Sequence, residues 1–199
     1  MSFSRVGERM SRRRRVGAAY DMAKEIARYL PRGARVLDVG CGGGHVAHQL
    51  GGFVGCAVEG TDLAPAAEAP IAYRAFDGAR LPFEAGAFDA LLFCYVLHHA
   101  RDAEILLAEA TRVLKPSGLL VIYEDTPRAW VDRFLCWRHE RAWRARTGRC
   151  TFRDDPAWRR VFTAAGLFIR LARPLSRLRD WSYPVARSVY VLSPRPLEG

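Results

Sequence analysis

The sequence predicts an α/β fold built on a mostly parallel sheet, and three observations predict it. Short runs of aliphatic and β-branched residues alternate with stretches of helical periodicity, which is the order expected of parallel strands joined by crossover helices. Half of the 199 residues are hydrophobic, enough for the core of a single domain over residues 1–199. A glycine-rich turn follows the first predicted strand, where open α/β sheets place ligands.

The first half of the chain is predicted to contain two helices and four strands. The first helix covers about residues 17–30 and precedes a strand over residues 34–39, whose aliphatic composition is typical of burial on both faces. The second helix begins at residues 45–50, directly after the glycine turn. Three further strands are predicted near residues 55–60, 71–76 and 88–93.

Besides the helical insertion described below, the second half is predicted to contain two helices and three strands. Residues 102–114 have the pattern of an amphipathic helix with Asp102 as its N-cap. The apolar face of that helix is expected to consist of Ile105, Leu106, Ala110 and Val113. A strand near residues 118–124 follows, then a helix over residues 154–165 that ends at Gly166. The last two strands are predicted over residues 167–171 and 188–192.

Three acids follow predicted strands, and we expect them to share one edge of the sheet. Asp38 lies at the end of the first strand, and Asp62 and Asp77 follow the second and the third. The carboxyl ends of parallel strands form the usual ligand edge of an open α/β sheet, although each acid alone could equally cap a turn. Only fourteen residues separate Asp62 from Asp77, so the crossover there is expected to be a short turn without the usual helix.

The glycine turn after Asp38 matches neither of two common phosphate-binding patterns. Its spacing, Asp38-x-Gly40-x-Gly42-x-Gly44, differs from the Gly-x-Gly-x-x-Gly pattern of dinucleotide sites, and no Gly-Lys-Ser/Thr of a Walker sequence follows. Glycine permits positive φ angles and leaves room for a ligand to approach the backbone. The turn is therefore expected to bind a ligand other than a dinucleotide phosphate.

The order of these motifs resembles that of class I S-adenosylmethionine-dependent methyltransferases. Five segments between about residues 34 and 125 carry the resemblance: residues 38–44, 60–65, 76–78, 88–99 and 109–118. The likeness is greatest to the small single-domain group that includes the quinone-biosynthesis (type 11) methyltransferases. It implies a Rossmann-like, doubly wound, seven-stranded sheet that is mostly parallel and closes with a C-terminal antiparallel hairpin.

The resemblance also implies a binding site for S-adenosyl-L-methionine. It implies that Asp38 receives the cofactor's amino group directly or through water, that Asp62 binds both ribose hydroxyls, and that Asp77 contacts the adenine amino group. A carboxylate suits the ribose because it accepts two hydrogen bonds at once. The cofactor-binding residues expected on this basis are Asp38, Gly40, Gly42, Gly44, Asp62, Leu63, Asp77 and Gly78.

Catalysis is expected to depend mainly on alignment, because a sulfonium is already a good leaving group. An oxygen or nitrogen acceptor must still lose a proton, and His98 and His99, at the turn after the fourth predicted strand, are the catalytic residues we expect as general bases. One of the two is expected to pack structurally. Glu124 and Asp125, at the end of the fifth strand, are second choices that could equally bind substrate or cap a turn.

No metal site is predicted from the sequence. His45 and His48 lie one helical turn apart and His98 and His99 are adjacent, but neither pair has a third ligand at the spacing of a zinc site. Five scattered cysteines without a Cys-x-x-Cys pair are typical of a reducing compartment. The chain has no apolar run of the length of a membrane span and no secretory signal pattern, so we expect a cytoplasmic protein.

The net charge of +10 is concentrated in two segments. Residues 1–15 and residues 128–149 each carry +5, and the remaining residues are neutral in sum. The resemblance implies that an N-terminal basic helical segment, residues 1–30, and a helical insertion, residues 127–150, lie over the substrate entrance. Together they would form a basic rim that attracts anions. The alternative explanation is an arginine-rich composition without a functional role.

The predicted insertion also carries aromatic residues. Trp130, Phe134 and Trp137 share one helical face for about two turns, and Trp143 follows. Packing of this face on the sheet is the ordinary explanation. The alternatives are a lid over an apolar acceptor and peripheral contact with a membrane surface.

The function expected from the sequence is methyl transfer from S-adenosylmethionine to a small acceptor, either anionic or amphipathic, by in-line displacement. Two alternatives remain open. An RNA methyltransferase or RNA-binding protein would use the basic rim, although the Asn/Asp-Pro-Pro-Tyr/Phe motif of base-amino methyltransferases is absent and residues 94–97 read Cys-Tyr-Val-Leu. A non-catalytic, cofactor-binding partner subunit is the other alternative, because the wall beside the adenine is short.

Overall fold

The computed structural model describes residues 16–55, 57–177 and 183–195. The predicted basic segment over residues 1–15 lies outside the described residues, and so does Cys56. The part of the predicted N-terminal helix that is described covers residues 16–26 (α1) and continues into a 3₁₀ turn at Ala27–Tyr29.

The seven-stranded sheet is the one that the sequence predicts. Its strands are β1 (Val36–Val39), β2 (Val58–Asp62), β3 (Ala72–Ala75), β4 (Phe88–Cys94), β5 (Leu114–Asp125), β6 (Phe168–Leu175) and β7 (Arg187–Ser193). They lie in the order β3-β2-β1-β4-β5-β7-β6. The first five strands are parallel, and β7 runs antiparallel between β5 and β6. The order reverses direction between β1 and β4, and such a reversal opens a crevice at the carboxyl ends of the two strands.

The helices follow their predicted boundaries within a few residues. They are α2 (His45–Val54), α3 (Ala103–Val113), α4 (Trp130–Thr147) and α5 (Asp155–Ala164). Asp102 caps α3 by accepting from the backbone N–H groups of Glu104 and Ile105, each at 3.0 Å. Residues 63–71, between β2 and β3, contain no helix, as the short spacing predicts.

The predicted apolar face of α3 is wrong at one position. Ile105 is 53% exposed, whereas Leu107 is fully buried with Leu106, Ala110 and Val113. The pattern Ile-Leu-Leu offers two adjacent choices for the edge of the buried stripe, and only packing against the sheet decides between them. The core itself lies on both faces of the sheet, since all four residues of β1 are buried.

A buried carboxylate, that of Asp132, holds the start of helix α4 on the rest of the fold. Asp132 is fully buried and accepts two hydrogen bonds from the Arg177 guanidinium, at 2.5 and 2.9 Å. Its carboxylate also accepts from the backbone N–H groups of Arg128 and Ala129, both at 2.9 Å, and of Ala186, at 3.3 Å. These contacts cap the start of α4 and join it to the segment before β7.

We expect Asp132→Ala to destabilise the protein by about 2–4 kcal/mol, because it leaves several donors without their acceptor. Burial alone would raise the pKa of Asp132, but the hydrogen bonds from Arg177 and the backbone hold that pKa below its ordinary value. The stabilisation is therefore present above about pH 4 and is lost as the pH falls through the folded-state pKa.

Urea denaturation of the wild type and of Asp132→Ala at neutral pH and at pH 3 measures both effects. Glu104→Gln is the matched control, because Glu104 is an exposed partner of Arg153 and should change stability by less than about 1 kcal/mol. Equal stability of the wild type and Asp132→Ala at neutral pH would contradict this account of how α4 is held.

The aromatic face of α4 does not pack on the sheet. Trp130 is 82% exposed, Phe134 50% and Trp137 51%. The ordinary explanation of this stripe as core packing is therefore wrong. The buried side of the helix is instead formed by Asp132 and Cys136, which lie one turn apart.

Candidate functional site

The carboxyl ends of β1, β2 and β4 meet at one edge, where the glycine loop (residues 40–44) begins. Val39 pairs with Thr61 of β2 and with Phe93 of β4. Gly40 donates its N–H to the Thr61 carbonyl at 2.7 Å and has a φ of +71°. A Cβ at Gly40 would lie 2.6 Å from Cγ2 of Val96, so the turn after β4 packs directly on the loop. Glycine at this position is required by both conformation and space.

Asp38 is a buried carboxylate with an unsatisfied oxygen. Its side chain is 1% exposed, and Oδ1 has no hydrogen-bond partner in the described part of the chain. Burial, followed by the negative charge of Asp62, raises the pKa of Asp38 to about 7. A cationic group beside Oδ1 would satisfy this oxygen and stabilise its charge.

Asp62 ties the glycine loop to the end of β2. Its Oδ2 accepts from the N–H of Gly42 at 2.7 Å, and its Oδ1 accepts from the N–H of Leu63 at 2.7 Å. Each carboxylate oxygen has a second lone pair, so the side chain can still accept hydrogen bonds from a diol. Asp38 pairs with Gly60 in the β1–β2 register, two residues before Asp62, so the structure places these two predicted residues at the same edge of neighbouring strands.

Asp77 lies on an exposed turn after β3. Its Oδ1 accepts from the backbone N–H groups of Arg80, at 2.8 Å, and Ala79, at 2.9 Å, and these hydrogen bonds lower the pKa of Asp77. The next residue, Gly78, has a φ of +85°, and a Cβ there would lie 3.1 Å from Cδ2 of Leu63. Leu63 is 55% exposed, so its side chain and the Asp77 turn form an open apolar surface next to Asp62.

This arrangement fits the cofactor that the resemblance implies. The unsatisfied Oδ1 of Asp38 suits an ammonium group, the free lone pairs of Asp62 suit a ribose, and the surface at Leu63 and Gly78 suits a flat base. Gly42 and Gly44 also have positive φ angles, and a Cβ at Gly42 would meet nothing within 4 Å. The loop therefore leaves open space beside its backbone at Gly42, the residue whose N–H contacts Asp62.

A second group of residues, the histidine cluster (His98, His99 and His139), lies beyond the end of β4. His98 is 1% exposed, and its Nδ1 lies 2.6 Å from Oε2 of Glu124 on β5. Because a carboxylate only accepts, Nδ1 is the donor, and in the neutral ring Nε2 carries the free lone pair. Burial opposes protonation, but the charge and hydrogen bond of Glu124 raise the pKa of His98 above its ordinary value.

His99 makes contacts on both sides of its ring. Its Nδ1 lies 3.0 Å from Oγ1 of Thr147, and its Nε2 lies 3.1 Å from Nε2 of His139 on α4. Burial, reinforced by the neighbouring histidines, lowers the pKa of His99 to about 3. Burial, His98 and Arg187 lower the pKa of His139 to about 4. Both rings are therefore neutral near pH 7.

The second-choice residues Glu124 and Asp125 both face inward. Glu124 is fully buried and also accepts from the N–H of Leu97 at 2.7 Å, which fixes the turn that carries His98. Asp125 is 2% exposed and accepts from Nε of Arg187 at 3.1 Å. Glu124 therefore positions His98, and Asp125 pairs with Arg187 on β7.

The histidine cluster lies next to the edge of the sheet that carries Asp38 and the glycine loop. Val96, two residues after the end of β4, packs on Gly40 of the glycine loop. The next residue, Leu97, donates its N–H to Glu124, the carboxylate that also holds His98. Tyr95, directly after β4, has a φ of +62°, which is unusual for a residue with a side chain. Such backbone strain is typical of functional turns. The turn from Cys94 to His98 thus connects the two parts of one candidate active site.

Sequence reasoning missed two members of this region. His139 lies 40 residues from His99, and no local pattern relates them. Tyr95 has an unusual backbone conformation that its residue type does not suggest. One sequence signal could have indicated Tyr95: it directly follows the fourth strand, at the edge of the sheet where ligands usually bind.

Three comparisons with known proteins are consistent with this geometry. A family model described as a methyltransferase domain matches residues 10–171. The ubiquinone biosynthesis O-methyltransferase of Xanthomonas axonopodis pv. citri (strain 306) is 35% identical over 118 residues, which cover 52% of this chain and 49% of that protein. The demethylmenaquinone methyltransferase of Tropheryma whipplei (strain Twist) is 35% identical over 113 residues, which cover 51% of this chain and 46% of that protein.

The structural comparison supports the fold. A geranyl diphosphate methyltransferase solved in complex with GPP and sinefungin has a TM-score of 0.68 and 17% sequence identity, over 88% of this chain and 78% of that one. The chain spans less than half the length of the curated relatives it matches. In the part of the chain that the structure describes, no helix is long and apolar enough to cross a membrane.

Proposed function

The chain belongs to the methyltransferase domain family, and from this membership we propose that it transfers the methyl group of S-adenosylmethionine to a small acceptor. The observation that carries the proposal is the buried Oδ1 of Asp38, which lacks a hydrogen-bond partner at the edge where the glycine loop begins. A protein that buried this carboxylate for structural reasons alone would be expected to satisfy both of its oxygens.

Different residues of the site bind different parts of the cofactor. Asp38 binds the amino group, Asp62 holds the ribose while it fixes the glycine loop through Gly42, and Leu63 with the Asp77 turn contacts the adenine. S-adenosylmethionine supplies an activated methyl group on a sulfonium that is a good leaving group. The protein's task is therefore to align the acceptor with that methyl group and to exclude water.

The reacting end of the acceptor is proposed to lie at the histidine cluster. The turn that leads from β4 to this cluster packs on the glycine loop through Val96. His98 presents a buried Nε2 with no hydrogen-bond partner in the described residues. Nitrogen lone pairs here can assist removal of the acceptor's proton, which an oxygen nucleophile requires. The predicted catalytic roles of His98 and His99 are proposed in this sense.

The acceptor is proposed to be a small aromatic molecule with a reactive oxygen and an anionic or amphipathic part. Two observations support this class. Two of the relatives are named a ubiquinone biosynthesis O-methyltransferase and a demethylmenaquinone methyltransferase. Helix α4 also exposes Trp130, Phe134 and Trp137 among several arginines. Exposed aromatic rings stack on an aromatic acceptor or its apolar extension, and the arginines attract anions.

Incubation of the purified protein with S-adenosylmethionine labelled in its methyl group, together with a cell extract, tests the proposal. We expect the label in the small-molecule or lipid fraction. Label in RNA would favour the alternative of an RNA methyltransferase, and so would RNA binding that falls steeply with salt. No binding of S-adenosylmethionine by calorimetry would refute the proposed function altogether.

The exposed arginines of α4 lead to a prediction about substrate binding. With an anionic acceptor, Arg138→Gln is expected to raise KM by roughly two- to fivefold with little change in kcat, because a surface charge attracts the ligand without contacting the reacting atoms. The increase should shrink at high salt. Arg32→Gln is the matched control, because Arg32 is exposed before the amino end of β1, opposite the candidate site. If Arg138→Gln and Arg32→Gln have the same KM, the arginines of α4 do not attract the acceptor.

A further inference from the structure

The histidine cluster has the composition and spacing of a metal site. One ring nitrogen from each of His98, His99 and His139 lies within 4.8 Å of the other two. The Nε2 atoms of His99 and His139 are 3.1 Å apart. Two nitrogens that bind one tetrahedral Zn²⁺ at 2.0–2.1 Å are about 3.3 Å apart, so this pair needs almost no movement to share an ion.

The second observation is the free nitrogen of His98. Its Nε2 is buried and has no hydrogen-bond partner among the described residues. Its Nδ1 donates to Glu124 at 2.6 Å, which fixes the tautomer that leaves the Nε2 lone pair available. A carboxylate that holds the far nitrogen of a histidine is the usual support of a histidine that binds zinc.

His99 is supported in the same way. Its Nδ1 can donate to Oγ1 of Thr147 at 3.0 Å, and its Nε2 then points its lone pair at His139. Without an ion, one of the two facing Nε2 atoms must carry a proton to form a hydrogen bond. With an ion between them, both rings present a lone pair.

We propose that His98, His99 and His139 bind one divalent transition-metal ion of the Zn²⁺ class through their Nε2 atoms, with a fourth position open to an oxygen ligand. Imidazole ligands suit Zn²⁺, Cu²⁺, Ni²⁺ and Fe²⁺ and disfavour Mg²⁺ and Ca²⁺. Among the residues the structure describes, no other histidine, cysteine or carboxylate completes the group. Three histidines with one open position are typical of catalytic zinc.

Cys150 does not provide the fourth ligand in this arrangement. Its Sγ lies 3.2 Å from Nδ1 of His99, which is the nitrogen directed away from the proposed ion. The thiol therefore contacts the far side of the His99 ring, and the fourth position remains available.

The role of the ion in methyl transfer rests on the proposed function, whereas the ion site does not. An oxygen of the acceptor that coordinates the ion releases its proton to water and is held as the anion, because a Lewis acid lowers the pKa of a bound oxygen. The cluster then assists deprotonation through a shared ion, without any ring acting as a free base. This deepens the role proposed above for His98 and His99.

Titration of chelator-treated protein, purified without a polyhistidine tag, with Co²⁺ and then Zn²⁺ tests the site. We expect one equivalent of Co²⁺ to give the visible absorption of a tetrahedral site and Zn²⁺ to displace it. His139→Asn should weaken binding at least about 100-fold, and Glu124→Gln about 10- to 100-fold. His139 is half-buried, so its replacement tests the site even where His98→Asn fails to fold.

His48→Asn is the matched control, because His48 is exposed on α2 outside the cluster, and it should leave Co²⁺ binding unchanged. Absence of a stoichiometric site, or unchanged binding in His139→Asn, would overturn the inference. Calorimetry with S-adenosylmethionine on the same samples separates the two proposals. Binding of the ion without binding of the nucleoside would support the ion site and refute the proposed function. Binding of the nucleoside without binding of the ion would overturn the ion site alone.

Discussion

Replacing Asp38 with asparagine is expected to weaken S-adenosylmethionine binding by roughly 100-fold. The substitution keeps the shape of the side chain but removes the buried charge that is proposed to hold the cofactor's amino group. Loss of one partner from a buried, charge-assisted hydrogen bond costs roughly 2–5 kcal/mol, and each 1.4 kcal/mol is a factor of ten in affinity. Calorimetry with the wild type and the variant measures this loss directly.

The pH dependence of binding provides a second measure of the same contact. In the free protein the pKa of Asp38 is raised to about 7 by burial, followed by the charge of Asp62. Only the ionised carboxylate attracts the ammonium group, so wild-type affinity should fall as the pH drops below about 7. Well below that pH, the wild-type affinity should fall about tenfold for each further pH unit. The affinity of Asp38→Asn should not change with pH in this way, because asparagine does not ionise.

Stability should change in the opposite direction. Since the folded-state pKa of Asp38 lies above its value of 3.8 in the unfolded chain, the folded state holds the proton more tightly, and ionisation destabilises the fold. This cost is absent below about pH 4, grows as the pH rises, and reaches roughly 4 kcal/mol at most above pH 7. Asparagine cannot ionise, so the variant is expected to be the more stable protein at pH 8.

Asp102→Asn is the matched control for these measurements. Asp102 is an exposed N-cap of α3, and asparagine is an equally good N-cap, so neither binding nor stability should change appreciably. An Asp38→Asn protein that binds S-adenosylmethionine as well as the wild type would remove the central residue of the proposed cofactor site. A variant that loses binding because it has lost stability would contradict the expected gain at pH 8.

The sequence predicted the sheet, and the acids near the carboxyl ends of β1 and β2, because their determinants are local. Each is encoded within about ten residues: the buried aliphatic runs, the helix N-cap at Asp102, and the acids Asp38 and Asp62. The five matched segments then fixed the order of the strands through the family they resemble. The comparisons confirm both the family and the fold.

The histidine cluster could not be predicted in this way because it depends on a distant contact. His139 reaches His99 only because α4 is rotated so that Asp132 faces inward and bonds Arg177, 45 residues away. The same rotation leaves Trp130 exposed, whereas a helical wheel favours burying the aromatic stripe. The five hydrogen bonds to the buried Asp132 carboxylate stabilise this orientation of α4 more than burial of the aromatic face would stabilise the other one. Hydrophobic periodicity carries no information about a distant partner such as Arg177.

Substitution of Gly42 by alanine is expected to abolish cofactor binding while the fold survives. Gly42 has a φ of +53°, and a Cβ built there meets no atom within 4 Å, so the folded protein has room for the methyl group. The cost to stability should be the conformational one alone, about 1–2 kcal/mol for a side chain in the left-handed region. The open space is proposed to belong to the cofactor, which the new methyl group would displace.

Gly86→Ala is the matched control for this prediction. Gly86 has a φ of +65° and also meets nothing within 4 Å, but it lies in the turn before β4, away from the acid edge. Both variants should therefore lose similar stability in urea denaturation, and only Gly42→Ala should lose binding of S-adenosylmethionine by calorimetry. Gly40→Ala is unsuitable for the comparison, because its Cβ would lie 2.6 Å from Val96 and would disturb the fold itself. If Gly42→Ala binds the nucleoside as tightly as Gly86→Ala does, the space beside the loop is solvent and the cofactor does not pass along this backbone.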